Sequence, residues 1–218
     1  PVVATAADSF LPQPSIWPET TQVFTAVAPV VPSIEPPTPM HEDNLRLYEK
    51  ALAAYHSGRY TEAVALLQMI CPESEYEKTR VEMEGNVSAL MARILANQGN
   101  LDQAVEWCEK AITKDKINAN HRFLLAIILM EQGQEKAAVQ ALKRTLYLRP
   151  DFIAAYYLLG TLALREKSHK DANRYFQQAI SLISNVPKDE TLTELDGMTA
   201  GRLRETIQRL MIEGGIIG

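Results

Sequence analysis

The sequence predicts an all-α protein in which helical hairpins stack one upon another into an α-solenoid. Three observations carry that prediction. Small residues recur at a period of 34: Gly160 follows Ala126 and Ala92, Ala172 follows Ala138 and Ala104, and Ala179 follows Thr145 and Ala111. Apolar residues within each period return at intervals of three and four, the spacing of an amphipathic helix, and no stretch alternates as a half-buried strand does. Glycine stands inside three units, in HSGRY, NQGNL and EQGQE, where it adopts the left-handed conformation that ends a helix at little cost.

Residues 1–40 form a Pro-rich linker. Nine of the twelve prolines lie there, with Asp8, Glu19 and Glu35 as the sole charges, and proline at that density removes the donors and torsional freedom that helices and sheets require. The linker is not a polar spacer, because SFLPQPSIWP and VFTAVAPVV carry large apolar side chains; Phe10, Trp17 and Phe24 are its candidate anchors onto another surface. From His41 onward Ala, Leu, Glu, Gln and Lys dominate. Helix pairs are expected at 43–57 and 60–71, 80–98 and 101–114, 119–132 and 135–148, and 153–166 and 169–184. The repeat region thus runs over 41–186, in units of about 44–77, 85–118, 119–152 and 153–186. Seven inserted residues around CPESEYEKT separate the first two units, since Ala51, Gly58 and Ala63 answer Ala92, Gly99 and Ala104 at a spacing of 41.

In the fourth unit EKSHK puts Lys167 at the glycine position, which predicts a strained turn. Pro150 falls between helices, with Asp151 expected as the next N-cap, and Gly160 is expected to face a close helix crossing. Residues 187–218 leave the period as an acidic loop and a capping helix near 199–212. That helix carries Leu203, Ile207 and Leu210 on one face to cover the open end of the stack.

Composition and motifs exclude several function classes. Net charge is −5 and no dense block of Lys and Arg occurs, so nucleic acid is not an expected partner. The longest purely apolar run, FLLAIILM, has eight residues, against the roughly 20 that span a bilayer. The first 40 residues lack Lys and Arg, so no secretory signal is expected; residue 1 is Pro, and the chain reads as a piece of something longer. Cys71 and Cys108 lack CxxC spacing, which fits apolar fillers in a reducing, cytoplasmic setting. His41, His56, His121 and His169 never pair as HxxxH and read as surface or groove residues, so no metal is expected. The run Glu73–Lys78 reads as a solvated loop or helix start rather than as paired catalytic acids. Trp107 reads as core. No nucleophile elbow and no Gly-rich loop after a strand occur, so neither catalytic residues nor a cofactor are expected in this chain.

The repeat resembles the tetratricopeptide repeat, a helix-turn-helix unit, over residues 44 to about 186. AAYYLLGTLA with Ala172, Phe176 and Ala179 carries the resemblance, as do RYTEAVALLQ, NLDQAVEWCEKAI and a repeat-closing Pro150. The resemblance implies a right-handed superhelix with a concave groove lined by the first helix of each repeat. Mapped onto this sequence, the lining is Tyr48, Leu52 and Tyr55; Arg93 and Asn97; Asn120, Phe123, Ile127 and Met130; and Tyr157, Thr161 and Leu164. Each of these is equally readable as interior packing. The family's carboxylate clamp, a Lys and Asn set, is absent from its stripe positions, which hold Tyr48, Leu52, Ala89, Arg93, Leu124 and Leu158.

The implied partner is therefore a protein, presenting an apolar peptide or helix. The Pro-rich linker of the same molecule, or of a second copy in a homodimer, is a candidate occupant. DGMTAGRL, 196–203, is similar to the tail of bacterial proteins in which tetratricopeptide repeats follow a CheR-type chemotaxis receptor methyltransferase domain. That resemblance implies a parent S-adenosylmethionine-dependent protein-glutamate methyltransferase in chemotaxis signal transduction, with this region docking the methyltransferase domain or a chemoreceptor. The alternative is a scaffold or assembly factor of a pilus or secretion system, working through its convex side.

Overall fold

A computed structural model of the chain describes residues 39–70, 77–195 and 197–216. Phe10, Trp17, Phe24 and Cys71 lie outside the described residues. The described helices are α1 (Pro39–His56), α2 (Tyr60–Met69), α3 (Glu77–Asn97), α4 (Leu101–Lys114), α5 (Ala119–Glu131), α6 (Glu135–Leu148), α7 (Ile153–Arg165), α8 (His169–Ile183) and α9 (Ala200–Glu213). Two start earlier than expected. α1 begins at Pro39, which the composition assigns to the linker; proline suits the first helical position, where its missing N–H has no partner to lose. α3 begins at Glu77, so the end of the ESEYEK run is a helix start.

Consecutive helices pair as antiparallel hairpins, and each second helix also packs on the first helix of the next hairpin. The reason lies in the small residues that keep step with the period. Ala63, Ala104, Ala138 and Ala172 on the second helices, and Ala51, Ala92 and Ala126 on the first, are all 0% exposed. A side chain of that size lets two helix backbones approach where they cross. Thr145 holds an alanine position and stays satisfied, its hydroxyl donating to the Ala141 carbonyl at 3.0 Å. Larger side chains, among them Ile94, Ile128, Leu142, Leu158 and Phe176, fill the space between crossings in one continuous core.

The four hairpin turns share one geometry. Gly58, Gly99 and Gly133 have φ of +72°, +80° and +72°, and Lys167 occupies the same place at +57°. In each, the residue after the left-handed one donates to a carbonyl five positions back, as from Arg59 to Ala54 and from Ser168 to Ala163, both at 2.9 Å. Lys167 therefore makes the glycine turn while carrying a Cβ that crowds it. Lys167→Gly is expected to raise stability by about 0.5–1 kcal/mol, the left-handed strain exceeding the added chain entropy of glycine. A urea midpoint below that of the parent chain would contradict this account.

Pro150 ends α6 through its neighbour: Arg149 is extended, φ −137° and ψ 92°, because the residue before a proline is barred from the helical region. Asp151 is not the N-cap of α7. Phe152 takes that position without a side-chain hydrogen bond, and its ring is 1% exposed; burying a phenyl group contributes more than one exposed cap bond.

The tail differs from a plain loop. Thr191–Leu192 (β1) pairs antiparallel with Met198–Thr199 (β2), and the Arg149–Glu194 ion pair at 2.7 Å ties the intervening turn to the end of α6. Thr199 caps α9, its hydroxyl accepting from the Arg202 N–H at 3.3 Å. The face α9 buries is Leu203, Ile207 and Met211, with Leu210 half-buried. No described helix is long and apolar enough to cross a membrane.

Candidate functional site

The first helices of the hairpins lie side by side, α1 against α3 and α3 against α5, and leave a cavity of about 440 Å³ between them. Tyr48 and Leu52 from α1, Asn86, Ala89 and Arg93 from α3, and Asn120, His121 and Leu124 from α5 line it; Asp115, Asn118 and Arg149 from the connections close one end. Periodicity explains part of the convergence, since Asn86 in the middle of α3 and Asn120 in the first turn of α5 stand 34 apart. Further along the same helices, the Asn97 amide donates at 3.0 Å to the hydroxyl of Tyr55, a buried residue, and joins α3 to α1.

The other stripe residues sit differently. Phe123 is 2% exposed and stacks on Phe152 at 4.7 Å between ring centres, with the Arg149 guanidinium 3.7 Å over the second ring. Ile127, Tyr157 and Thr161 are buried, and the Thr161 hydroxyl donates to the Tyr157 carbonyl at 3.0 Å. Met130 and Leu164 are half-buried. Leu164 lies under α9: a Cβ on Gly214 would stand 2.6 Å from its Cδ1. Of the twelve expected groove residues, the structure thus gathers Tyr48, Leu52, Arg93 and Asn120 around one hollow. It packs Tyr55, Phe123, Ile127, Tyr157 and Thr161 inward.

Arg93 dominates the local field. Its charge acts on Tyr48 and His56 of α1, on Cys108 of α4 and on His121 of α5. Burial raises the Tyr48 hydroxyl above its ordinary range, with Arg93 opposing; partial burial and then Arg93 lower His56. His121 is 3% exposed, and its Nδ1 has no hydrogen-bond partner among the described residues. Burial depresses its pKa to about 4, Asp115 working against that shift and Arg93 and Arg122 with it. The sequence places histidines on the surface or in the groove; His121 lines the groove cavity but is buried in its wall.

Among the described residues no three His, Cys, Asp or Glu side chains come together as metal ligands would. The Cys108 thiol is fully buried and donates to the His121 carbonyl at 3.2 Å; desolvation pushes its pKa far up, which makes a poor nucleophile. Trp107 is half-buried rather than core, with the Lys110 ammonium 4.1 Å over its ring.

The sequence reading missed Asn86, Asn118, His121 and Arg149 as cavity residues. Asn86 was detectable, as the counterpart of Asn120 one period earlier. His121 neighbours that stripe position on the same helix, whereas Asn118 and Arg149 come from connections, which carry no helical periodicity.

Four stacked hairpins with a groove between their first helices define a helical-repeat protein of the interaction-module class. Three family models described as tetratricopeptide repeat match residues 43–77, 95–162 and 153–185, and the chain belongs to the tetratricopeptide-repeat family. Such repeats are in general non-catalytic modules that bind protein or peptide partners.

Solved structures with the same fold include MamA, at 17% identity and a TM-score of 0.55 over 66% of this chain and 80% of that one. MamA from Desulfovibrio magneticus RS-1 aligns at 20% identity and 0.52, over 66% and 77%. YrrB, described as a TPR protein with an unusual peptide-binding site, aligns at 14% and 0.51, over 66% and 70%. Likeness at these identities concerns the fold alone. No curated protein matches the chain significantly.

Proposed function

We propose that this chain is a cytoplasmic protein-interaction module that takes an apolar peptide or amphipathic helix into the groove between its first helices. The observation that carries the reading is the cavity of about 440 Å³ with Tyr48 and Leu52 on one wall, a volume in the range of ligand sites. The same fold in YrrB hosts a peptide-binding site, which supports the reading by analogy.

The test is peptide selection from a random library on the intact chain, followed by affinity measurement. Tyr48→Ala is expected to weaken the selected peptides about tenfold or more, as removal of a groove anchor does. Tyr147→Ala, on the 87% exposed side chain of α6, leaves affinity unchanged. The opposite pattern moves the contact to the outer helices and favours an assembly scaffold of a pilus or secretion system. Removal of residues 1–38 raises affinity if the linker occupies the groove and changes nothing if it does not.

A finer context follows from the order of linker, repeats and tail and from DGMTAGRL, which resemble the arrangement behind CheR-type methyltransferase domains. On that reading the groove docks a methyltransferase domain or a chemoreceptor segment in chemotaxis. The fold gives the same residues a role of their own: Gly197 turns at φ +71° and Thr199 caps α9.

A further inference from the structure

The second helices of the hairpins share one outward face, because the period of 34 repeats their positions. Asp102, Glu106, Glu109, Lys110 and Thr113 on α4 become Lys136, Gln140, Lys143, Arg144 and Tyr147 on α6, and every one of them is exposed. On each helix these positions fall within one arc of about 100°, facing away from the buried Ala104, Cys108 and Ala111 of α4 and the buried Ala138, Leu142 and Thr145 of α6. The matched positions reverse sign. α4 presents three carboxylates and one ammonium, whereas α6 presents three cations and no acid. Glu135, the sole acid of α6, is turned toward Arg165 at 3.0 Å. The neighbouring outer helices carry less: the counterparts on α2, Thr61, Ala65, Gln68 and Met69, are uncharged, and on α8 Arg174 is held by Asp171 at 3.0 Å.

From this inversion we propose that two copies of the chain associate through their outer faces, the acidic stripe of α4 on each copy lying along the basic stripe of α6 on the other. One two-fold operation makes both contacts, since a face holding both signs side by side is complementary to its own rotated image. Among the described residues Glu106, Glu109, Lys136, Lys143 and Arg144 have no ion pair, so a second copy displaces none. Tyr147 is 87% exposed beside the cations, and Trp107 lies half-buried at the edge of the acids, beneath the Lys110 ammonium. Aromatic side chains of this kind anchor interfaces.

A ligand of one sign fits this face less well than a second copy does. A polyanion drawn to α6 meets the carboxylates of α4, and a polycation drawn to α4 meets the cations of α6. The two 14-residue helices are about 21 Å long and lie about 10 Å apart, which offers about 400 Å² per copy against the roughly 800 Å² of a stable complex. The association is therefore weak, governed by charge and sensitive to salt. It uses the side of the hairpins away from the groove and stands whether or not the groove takes a peptide.

Sedimentation velocity of the full chain from about 1 to 100 μM, in about 0.05 M and about 0.5 M NaCl, reads the association. A dimer is expected at low salt, with a dissociation constant about tenfold or more higher at high salt. Glu106→Lys with Glu109→Lys on α4 abolishes it at an unchanged melting temperature, and so does Lys143→Glu with Arg144→Glu on α6. An equimolar mixture of the two double variants restores a dimer, because each reversed stripe then faces its opposite. A parent chain that stays monomeric at low salt overturns the proposal; binding of poly-glutamate to that monomer, lost in Lys143→Glu with Arg144→Glu, would give the α6 stripe to an acidic partner instead. Self-association that survives either reversal, or double variants that fail to combine, overturns it as well by moving the contact to another face.

Discussion

Gly160→Leu is expected to lower stability by about 3 kcal/mol, and Gly160→Ala by about 1 kcal/mol even though alanine is the better helix former by roughly that amount. The reason is the ring opposite. A Cβ on Gly160 would stand 2.5 Å from both Cδ1 and Cε1 of Phe176, and Phe176 is 0% exposed, with packed neighbours on every side. Overpacking of this kind costs about 1–3 kcal/mol because a dense interior cannot shift one ring alone.

The preceding hairpins show how the crossing is otherwise filled. One period back the corresponding pair is Ala126 and Leu142, and two periods back Ala92 and Cys108; all four are 0% exposed. Where the second-helix residue grows to phenylalanine, the first-helix residue shrinks to glycine. Gly160→Ala in a Phe176→Leu background recreates the pair of the third hairpin and is expected to be neutral or stabilising. A thermal double-mutant cycle reads this directly, at roughly 2–4 °C per kcal/mol for a chain of this size. Equal cost of Gly160→Ala in both backgrounds would remove Phe176 from the explanation.

Acid is expected to destabilise the fold between about pH 6.5 and pH 4 through His121. The sign follows from the depressed value: folded His121 titrates at about 4 against an ordinary 6.5. Between those limits the unfolded chain binds a proton that the folded chain excludes, so stability falls as pH falls. The gap corresponds to roughly 3 kcal/mol, fully expressed below the folded value and absent well above 6.5. Desolvation is the main cause. His121 lies against α3, where a Cβ on Gly85 would meet its Cε1 at 3.1 Å, and Asp115 recovers only part of the charge penalty. Unfolding by urea at pH 7 and pH 5, with and without His121→Gln, isolates the effect. A pH dependence that is the same in the variant would assign it to other groups.

What could be read from the linear chain is what the chain repeats. The turn at Lys167 and the small side chains at the crossings are local facts: a backbone angle and a Cβ volume act within a few residues, and recurrence at 34, with the first unit offset to 41, reports them four times over. The family resemblance, mapped onto the same period, places Tyr48, Leu52, Arg93 and Asn120 in the groove. That arithmetic left open which stripe members stay accessible, because accessibility belongs to whatever packs above. Phe123 is covered by Phe152 from the next turn, and Leu164 by α9, which lies outside the period.

Sequence alone therefore determined the hairpins, their order and their crossing points, since hydrophobic period and side-chain size act over one helix and its immediate partner. Tertiary packing decided the cavity, the burial of His121 and the reach of the Arg93 charge onto three neighbouring helices. Each of those depends on desolvation and on groups brought together from three helices, two connections and a tail that share no common spacing.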